Sequence, residues 1–331
     1  MTDKILSAES IKDLLGNAVQ NKKNCGFAAY IVAKSEPKLR EMILDEGKVN
    51  RNKNYKNTVR DVLLEVIEKK YLADDIEYVA GTSVADEQRK YYIIKQDEAY
   101  KPFDFLKCDL SKLSEFRFDQ IDDAMGIVFW FRIGNQEFWA YQHLWSIMVP
   151  NKKKNNMLSR IQKYENHDFF TEQTEPLITI ASKIDILVIQ GHVITSNISL
   201  MQKSFGFQDF IIATANKSID RVKQKQLVKN PDKLLEYINR GKASKYAKKM
   251  MRIADSKVLD ITKEKLMEKV HTLERWRGVF EEDDNGVIVL NTFGQVENLI
   301  DLLDERYTRS DVTDQEYDTD VKQIAAPVQN N

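Results

Sequence analysis

A run of lysines and arginines without acids is the part of this sequence whose residue types and spacing point most directly to chemistry. On a helical wheel, residues 242 to 255 place alanine, methionine and tyrosine in one arc. The opposite arc holds five cations and no acid, namely Lys242, Lys245, Lys248, Lys249 and Arg252. Exposed helices usually mix acids with bases, because i,i+4 ion pairs stabilise them. This face therefore predicts contact with a polyanion.

A second cationic stripe lies just before the first one. Lys217, Arg221 and Lys225 recur at i, i+4 and i+8, a spacing at which like charges repel by a few tenths of a kcal/mol per pair. We expect both stripes to bind DNA, mainly at its phosphates, because no helix-turn-helix or zinc-finger spacing accompanies them. Two other interpretations stay open: lysines that face solvent or pair with acids of the same chain, and an anionic membrane surface.

The overall charge conceals these stripes. The 331 residues carry 50 Lys and Arg against 51 Asp and Glu, for a net charge of −1. Residues 217 to 257 hold 13 bases and 4 acids, whereas residues 301 to 320 hold 8 acids and 2 bases. Charge is therefore segregated along the chain, which favours recognition of a charged partner.

Enzymatic motifs are mostly missing. No glycine-rich phosphate loop, nucleophile elbow or histidine cluster occurs, so we predict no catalytic residue, no metal ligand and no cofactor. One pattern resembles a nuclease core, in which an acid precedes an acid-x-lysine: Asp232 with Asp255 and Lys257. Such a site requires the acid-x-lysine on a strand, and Asp255 ends a predicted helix. A metal-dependent nuclease is kept as an alternative function.

The elements that position these residues indicate an α+β fold. We predict a mixed or antiparallel sheet with β-hairpins in the N-terminal half and a helix-rich C-terminal half. Hairpins are expected at Gly134-Asn135 and Gln190-Gly191, and Ser10 is expected to cap the first helix. Phe129, Phe131, Phe138 and Trp139 are interpreted as core. The predicted regions are 1–156, 157–307 and a disordered acidic tail, 308–331.

The expected location is the cytoplasm. Cys25 and Cys108 are the only cysteines, too few and too far apart for a disulfide scaffold or a zinc module. The chain shows neither a signal peptide nor an apolar run long enough to span a bilayer.

The order of segments from residue 125 onward resembles a known bacterial family. A hairpin, IVFWFRIGNQEFWAYQHL, is followed by NMLSRI and then by KIDILVIQGHVITSNISLMQKSFGFQDF. The most characteristic features are Ile184-Asp185 in a strand, a second strand ending at Asn197, and the corner Phe205-Gly206-Phe207. This pattern is similar to the KwaB family of Kiwa anti-phage defence systems, and the resemblance extends over residues 25 to 250.

The resemblance implies a cytoplasmic defence effector that binds DNA without a known cofactor. It also implies a homodimer or higher homo-oligomer that works beside a membrane-embedded partner protein, with which it would associate at the membrane. The sequence thus supports three hypotheses: a DNA-binding effector, a nuclease, and a protein-interaction module. In the third of these, the acidic tail acts as an internal competitor for the cationic face.

Overall fold

The computed structural model describes residues 6–34, 38–44, 55–83, 90–96, 103, 106, 108–145, 161–163, 170–172, 178–240, 244–254, 256–305, 307–309 and 316–318. Two compact units make up the chain. One unit comprises Met1–Gly81 with Glu87–Leu200, and the other comprises Thr82–Asp86 with Met201–Asn331.

The first unit is built on a large sheet. Its helices are α1 (Ala8–Gln20) and α2 (Tyr55–Tyr71). Its strands are β1 (Gly26–Ala33), β2 (Leu39–Met42), β3 (Glu77–Ala80), β4 (Lys90–Lys95), β5 (Ala124–Ile133), β6 (Gln136–His143), β7 (Ile161–Lys163), β8 (Phe170–Glu172), β9 (Ile186–Ile189) and β10 (His192–Thr195). Eight of these form one sheet in the order β2-β1-β5-β6-β9-β10-β4-β3, while β7 pairs with β8. Only the β3–β4 pairing in the large sheet is parallel, so the sheet is mixed.

Both predicted hairpins are confirmed. β5 and β6 join through Gly134, whose φ of 57° is in the region that favours glycine, and Ile133 pairs with Gln136 across the turn. β9 and β10 join through Gln190 and Gly191, whose φ angles are 47° and 75°. Positive φ matches the right-handed twist of the flanking strands, which is why short turns of this kind close hairpins.

The core of the first unit contains α1, α2 and the aromatic side chains of β1, β5 and β6. Phe131 and Phe138 stack with ring centroids 4.8 Å apart, and Phe129 is fully buried, as the sequence predicts. The predicted cap of α1 is wrong by one turn. The Ser7 hydroxyl, and not that of Ser10, caps the helix by accepting the Ser10 backbone N–H at 3.1 Å.

Helices dominate the second unit, and α3 carries the chain into it. The helices are α3 (Ile198–Ser204), α4 (Phe207–Gln224), α5 (Asp232–Ile238), α6 (Ser244–Ala254), α7 (Lys263–Thr272) and α8 (Phe293–Leu303). Its short strands are β11 (Val228–Lys229), β12 (Glu281–Glu282), β13 (Ile288–Val289), β14 (Tyr307–Arg309) and β15 (Glu316–Asp318). This architecture confirms the predicted α+β class. Within the described ranges, no helix combines the length and apolar character needed to cross a bilayer.

Two boundaries differ from the sequence prediction. The chain divides after Leu200 and not at residue 156, because β9 pairs with β6 and β10 pairs with β4, which makes the second hairpin part of the first unit. Sequence patterns identify a hairpin but not the sheet it joins. In the tail, predicted to be disordered from residue 308, Thr308 pairs with Tyr317 in the antiparallel β14–β15 ladder. Residues 310–315 and 319–331 of this tail lie outside the described residues.

Candidate nucleic-acid interface

Helices α4 and α6, which carry the two cationic stripes, pack side by side. The Ser218 hydroxyl on α4 donates to the Met250 carbonyl on α6 at 2.8 Å, and Arg221 Nη1 donates to the Ala254 carbonyl at 2.7 Å. The sequence offset is nearly the same in both pairs, so the helices run in the same direction. Met251 is fully buried, as expected from the apolar arc of the wheel.

The predicted contact residues divide into exposed and internally paired cations. Lys217 on α4 and Lys245 on α6 are exposed, and neither forms an ion pair with another described residue. Lys248 is half-buried and already contacts another group. Lys242 lies outside the described residues. Of the α6 stripe, Lys245 is thus placed where a ligand can reach it.

Lys249 and Arg252 point toward α8 and are neutralised there. Lys249 Nζ pairs with the Asp301 carboxylate, and only 3% of the lysine side chain is exposed. Arg252 donates to Asp304 twice, from Nε to Oδ1 at 3.2 Å and from Nη2 to Oδ2 at 2.6 Å. The Asp304 side chain is itself 3% exposed. These two bases therefore hold α6 against α8.

A stripe of acids on α8 explains this pairing. Glu297, Asp301 and Asp304 recur at i, i+4 and i+7 and so share one helix face. They meet Tyr246, Lys249 and Arg252 in the same order, beginning with the Tyr246 hydroxyl, which donates to Glu297 Oε2 at 3.1 Å. Charge counts along the sequence do not identify these acids as partners of the bases. Their helical spacing, matched to that of the α6 bases, is the signal that could have identified them.

The stripe on α4 is also partly engaged. Asp260 accepts from Arg221 Nη2 at 2.9 Å and lies 3.8 Å from Lys225 Nζ. The Lys225 contact is long, and 40% of that side chain is exposed. Arg221 is therefore a structural clamp between α4 and the end of α6, whereas Lys225 stays accessible.

A cleft of about 760 Å³ lies beside Lys225 in the second unit. Its walls carry three lysines and three carboxylates, which are Lys225, Lys229, Lys263, Asp260, Glu264 and Asp283. Because these charges balance, the cleft has no overall preference for an anion.

The nuclease-like pattern is not assembled within the described residues. Asp232 pairs with Lys223 at 2.7 Å, and Asp255 lies outside the described residues. Across the described ranges, no cluster of three or more His, Cys, Asp or Glu side chains is arranged to hold a metal ion.

Comparison with known proteins identifies the family. A family model described as Kiwa protein KwaB-like matches residues 121–313, from just before β5 to beyond α8. No curated protein and no solved structure matches the chain. The family indicates a role in Kiwa anti-phage defence. Because the match covers more than half of the chain and includes both cationic helices and the α8 acids, this protein belongs to the KwaB-like family of Kiwa proteins.

Proposed function

We propose that this defence protein binds DNA through the exposed cations of its second unit, largely by contacts to phosphates. The observation that carries the proposal is that Lys217 and Lys245 project from two packed helices without an ion-pair partner among the described residues. Lys225, with its long and partly exposed contact to Asp260, adds a third cation. Phosphate contacts of this kind supply most of the affinity in sequence-independent DNA binding.

The experiment is a fluorescence anisotropy titration of labelled duplex DNA over a series of salt concentrations. Each phosphate neutralised by the protein contributes about −0.9 to the slope of log K against log salt concentration. We expect a Lys217→Gln, Lys245→Gln double variant to weaken binding and to reduce the magnitude of that slope by about 2.

The matched control removes the same charge from the first unit. Lys23 and Lys70 are exposed on that unit, so Lys23→Gln with Lys70→Gln changes the net charge equally without touching α4 or α6. Equal losses in the two double variants would show that only net charge matters and would contradict the proposed surface. Arg221, Lys249 and Arg252 are left intact because their substitution breaks internal ion pairs.

We also propose that the protein self-associates and works beside a membrane-embedded partner of the same defence system. The family resemblance supports both statements. Light scattering of the purified chain measures the number of subunits, and a strictly monomeric protein at micromolar concentration would contradict self-association. Co-purification in detergent with the membrane-embedded protein of the same defence system tests the partner, and separate elution of the two proteins would contradict that association.

A further inference from the structure

Three aromatic rings from three helices meet on the second unit, beside the cationic stripe of α6. Tyr237 at the end of α5 lies between the other two rings. Its centroid is 5.5 Å from that of Tyr246 on α6 and 5.3 Å from that of Phe293 on α8. All three side chains are only partly buried. They form what we call the aromatic cluster: Tyr237, Tyr246 and Phe293.

Polar contacts hold the rings in place. Glu297 accepts hydrogen bonds from both tyrosine hydroxyls, which fixes Tyr237 and Tyr246 relative to α8. Phe293 opens α8 directly after its capping box, in which the Thr292 hydroxyl accepts the Gln295 N–H at 3.3 Å and the Gln295 side chain accepts the Thr292 N–H at 3.0 Å. The rings are therefore preorganised and lose little conformational entropy on binding.

Cations surround these rings. The guanidinium of Arg240 lies 4.3 Å from the Phe293 centroid, and the Lys245 ammonium lies 5.7 Å from that of Tyr246. Both cations are exposed, and neither forms an ion pair within the described part of the chain. Lys233 and Lys249 also lie over the rings, but they are paired with Glu236 and Asp301.

A partly exposed aromatic cluster beside unpaired cations has the chemistry needed to recognise unpaired bases. Bases stack on aromatic faces and on arginine guanidinium planes, while nearby cations contact the phosphates. In a duplex the base faces are covered by their neighbours, so stacking of this kind requires a single strand, a frayed end or a flap. We infer that the aromatic cluster, with Arg240 and Lys245, binds unpaired bases of single-stranded DNA.

This inference rests on the proposed DNA binding and adds a preference to it. Phosphate contacts by Lys217 and Lys225 serve duplex and single strand alike, whereas the aromatic cluster adds affinity for exposed bases. Lys245 takes part in both kinds of contact, because it lies on the cationic stripe and also over the Tyr246 ring. The natural targets would be DNA in which strands are separated.

The test compares an oligonucleotide as a single strand with its blunt duplex, by anisotropy at one salt concentration. For Phe293→Leu and for Arg240→Gln we expect single-strand affinity to fall about tenfold, the loss typical of removing one stacked base. Duplex affinity should stay within about twofold in Phe293→Leu, and in Arg240→Gln it should fall less than single-strand affinity does. Phe293→Trp should keep the single-strand affinity, because it preserves a stacking face. Quenching of 2-aminopurine placed in the single strand should accompany binding and disappear in Phe293→Leu.

Lys217→Gln is the control, since it removes a phosphate contact and should weaken both DNA forms equally. Thermal unfolding checks that each variant is folded, and exposed Arg240 provides a second variant should Phe293→Leu fail to fold. Wild-type protein that binds neither DNA form would overturn the proposed function. A second outcome would overturn this inference alone. In that outcome the wild-type protein binds duplex DNA, and the variants lose no more affinity for single strands than for duplex.

Discussion

At the scale of single residues, the neighbours on another helix decide what a cation does. Lys249 and Lys245 lie one helical turn apart on α6, yet the first is buried against Asp301 and the second is exposed. Taking a lysine out of water costs several kcal/mol unless a carboxylate compensates for it. Lys249 therefore requires Asp301, whereas Lys245 is free to gain a partner on binding.

The Arg252–Asp304 pair should be important for stability because its aspartate is buried. Replacing one member of a buried pair leaves the other charge uncompensated, so we expect Arg252→Met to lower the free energy of unfolding by about 3 kcal/mol. Replacing both, as Arg252→Met with Asp304→Leu, should recover most of this loss. Urea unfolding measures the free energy of unfolding of the single and the double variant. Exposed Lys245→Met is the control and should change stability by less than about 0.5 kcal/mol; an equal effect of the two single variants would contradict the role of the pair.

His143 should make stability depend on pH. Burial lowers its pKa below the ordinary 6.5; Asp185 opposes this shift, whereas Lys183 and Lys34 reinforce it. Below pH 6.5 the unfolded chain then binds more protons at this site than the folded chain, so stability falls as the pH drops from 6.5 toward the folded pKa. His143→Gln should flatten this part of the profile of unfolding free energy against pH. Parallel profiles for both proteins in that window would contradict the prediction.

At the scale of elements, close packing explains why Gly126, the third residue of β5, is a glycine. The ring of buried Tyr141 on β6 lies over Gly126, and a Cβ at that position would come within 2.2 Å of the ring. The Tyr141 hydroxyl is also 3.0 Å from His143 Nδ1, which fixes the ring further. The strand pairing that builds the sheet therefore depends on a position without a side chain.

Gly126→Ala should destabilise the protein by about 2 kcal/mol, because neither the ring nor the strand can move away without disturbing the core. Gly16→Ala in α1 is the matched control. An added Cβ there meets no atom within 4 Å, and alanine in a helix interior is favoured over glycine by about 0.5–1 kcal/mol. Thermal unfolding of the two variants should give shifts of opposite sign. Shifts of the same sign would contradict this assignment of the glycines.

Local patterns predicted most of the elements. The Gly134 and Gln190-Gly191 turns followed from turn chemistry, and helices such as α6 followed from apolar periodicity. The order of strands in the sheet could not be predicted from these local patterns, because β9 pairs with β6 and β10 pairs with β4 across long stretches of chain. Pairings between distant segments leave no signature in either segment, so the sequence predicts a boundary at residue 156 whereas contacts divide the chain after Leu200.

At the scale of the whole molecule, opposite charges that are segregated in sequence meet in space. Acids from later in the chain pair with bases of residues 217–257. They include Asp260 just before α7, Asp283, Asp301 on α8 and Asp304 at the end of α8. Internal pairing therefore neutralises part of the positive charge that the sequence counts assign to this region. The cations left exposed are fewer than the sequence counts indicate, and the DNA-binding proposal concentrates on them.

The acidic tail should weaken DNA binding. Residues 308–331 carry more acids than bases, and negative charge on the protein lowers the local concentration of a polyanion. Deleting them should raise duplex affinity a few-fold at low salt, and the gain should shrink at high salt because surface charges are screened. Anisotropy titrations of both proteins measure this. Equal duplex affinity of the full-length and truncated proteins at low salt would contradict the prediction that the tail weakens DNA binding.

The family, the fold class, the helices and the hairpins could all be inferred from local patterns, because periodicity and turn residues act over a few positions. Which cations can reach a ligand could not be inferred in that way. A wheel drawn for residues 242 to 255 shows five cations on one face, and the carboxylates of Asp301 and Asp304 bury Lys249 and engage Arg252. The aromatic cluster likewise exists only where α5, α6 and α8 converge. Burial and ion pairing depend on residues about 50 positions away, so the packing of the helices sets the binding surface.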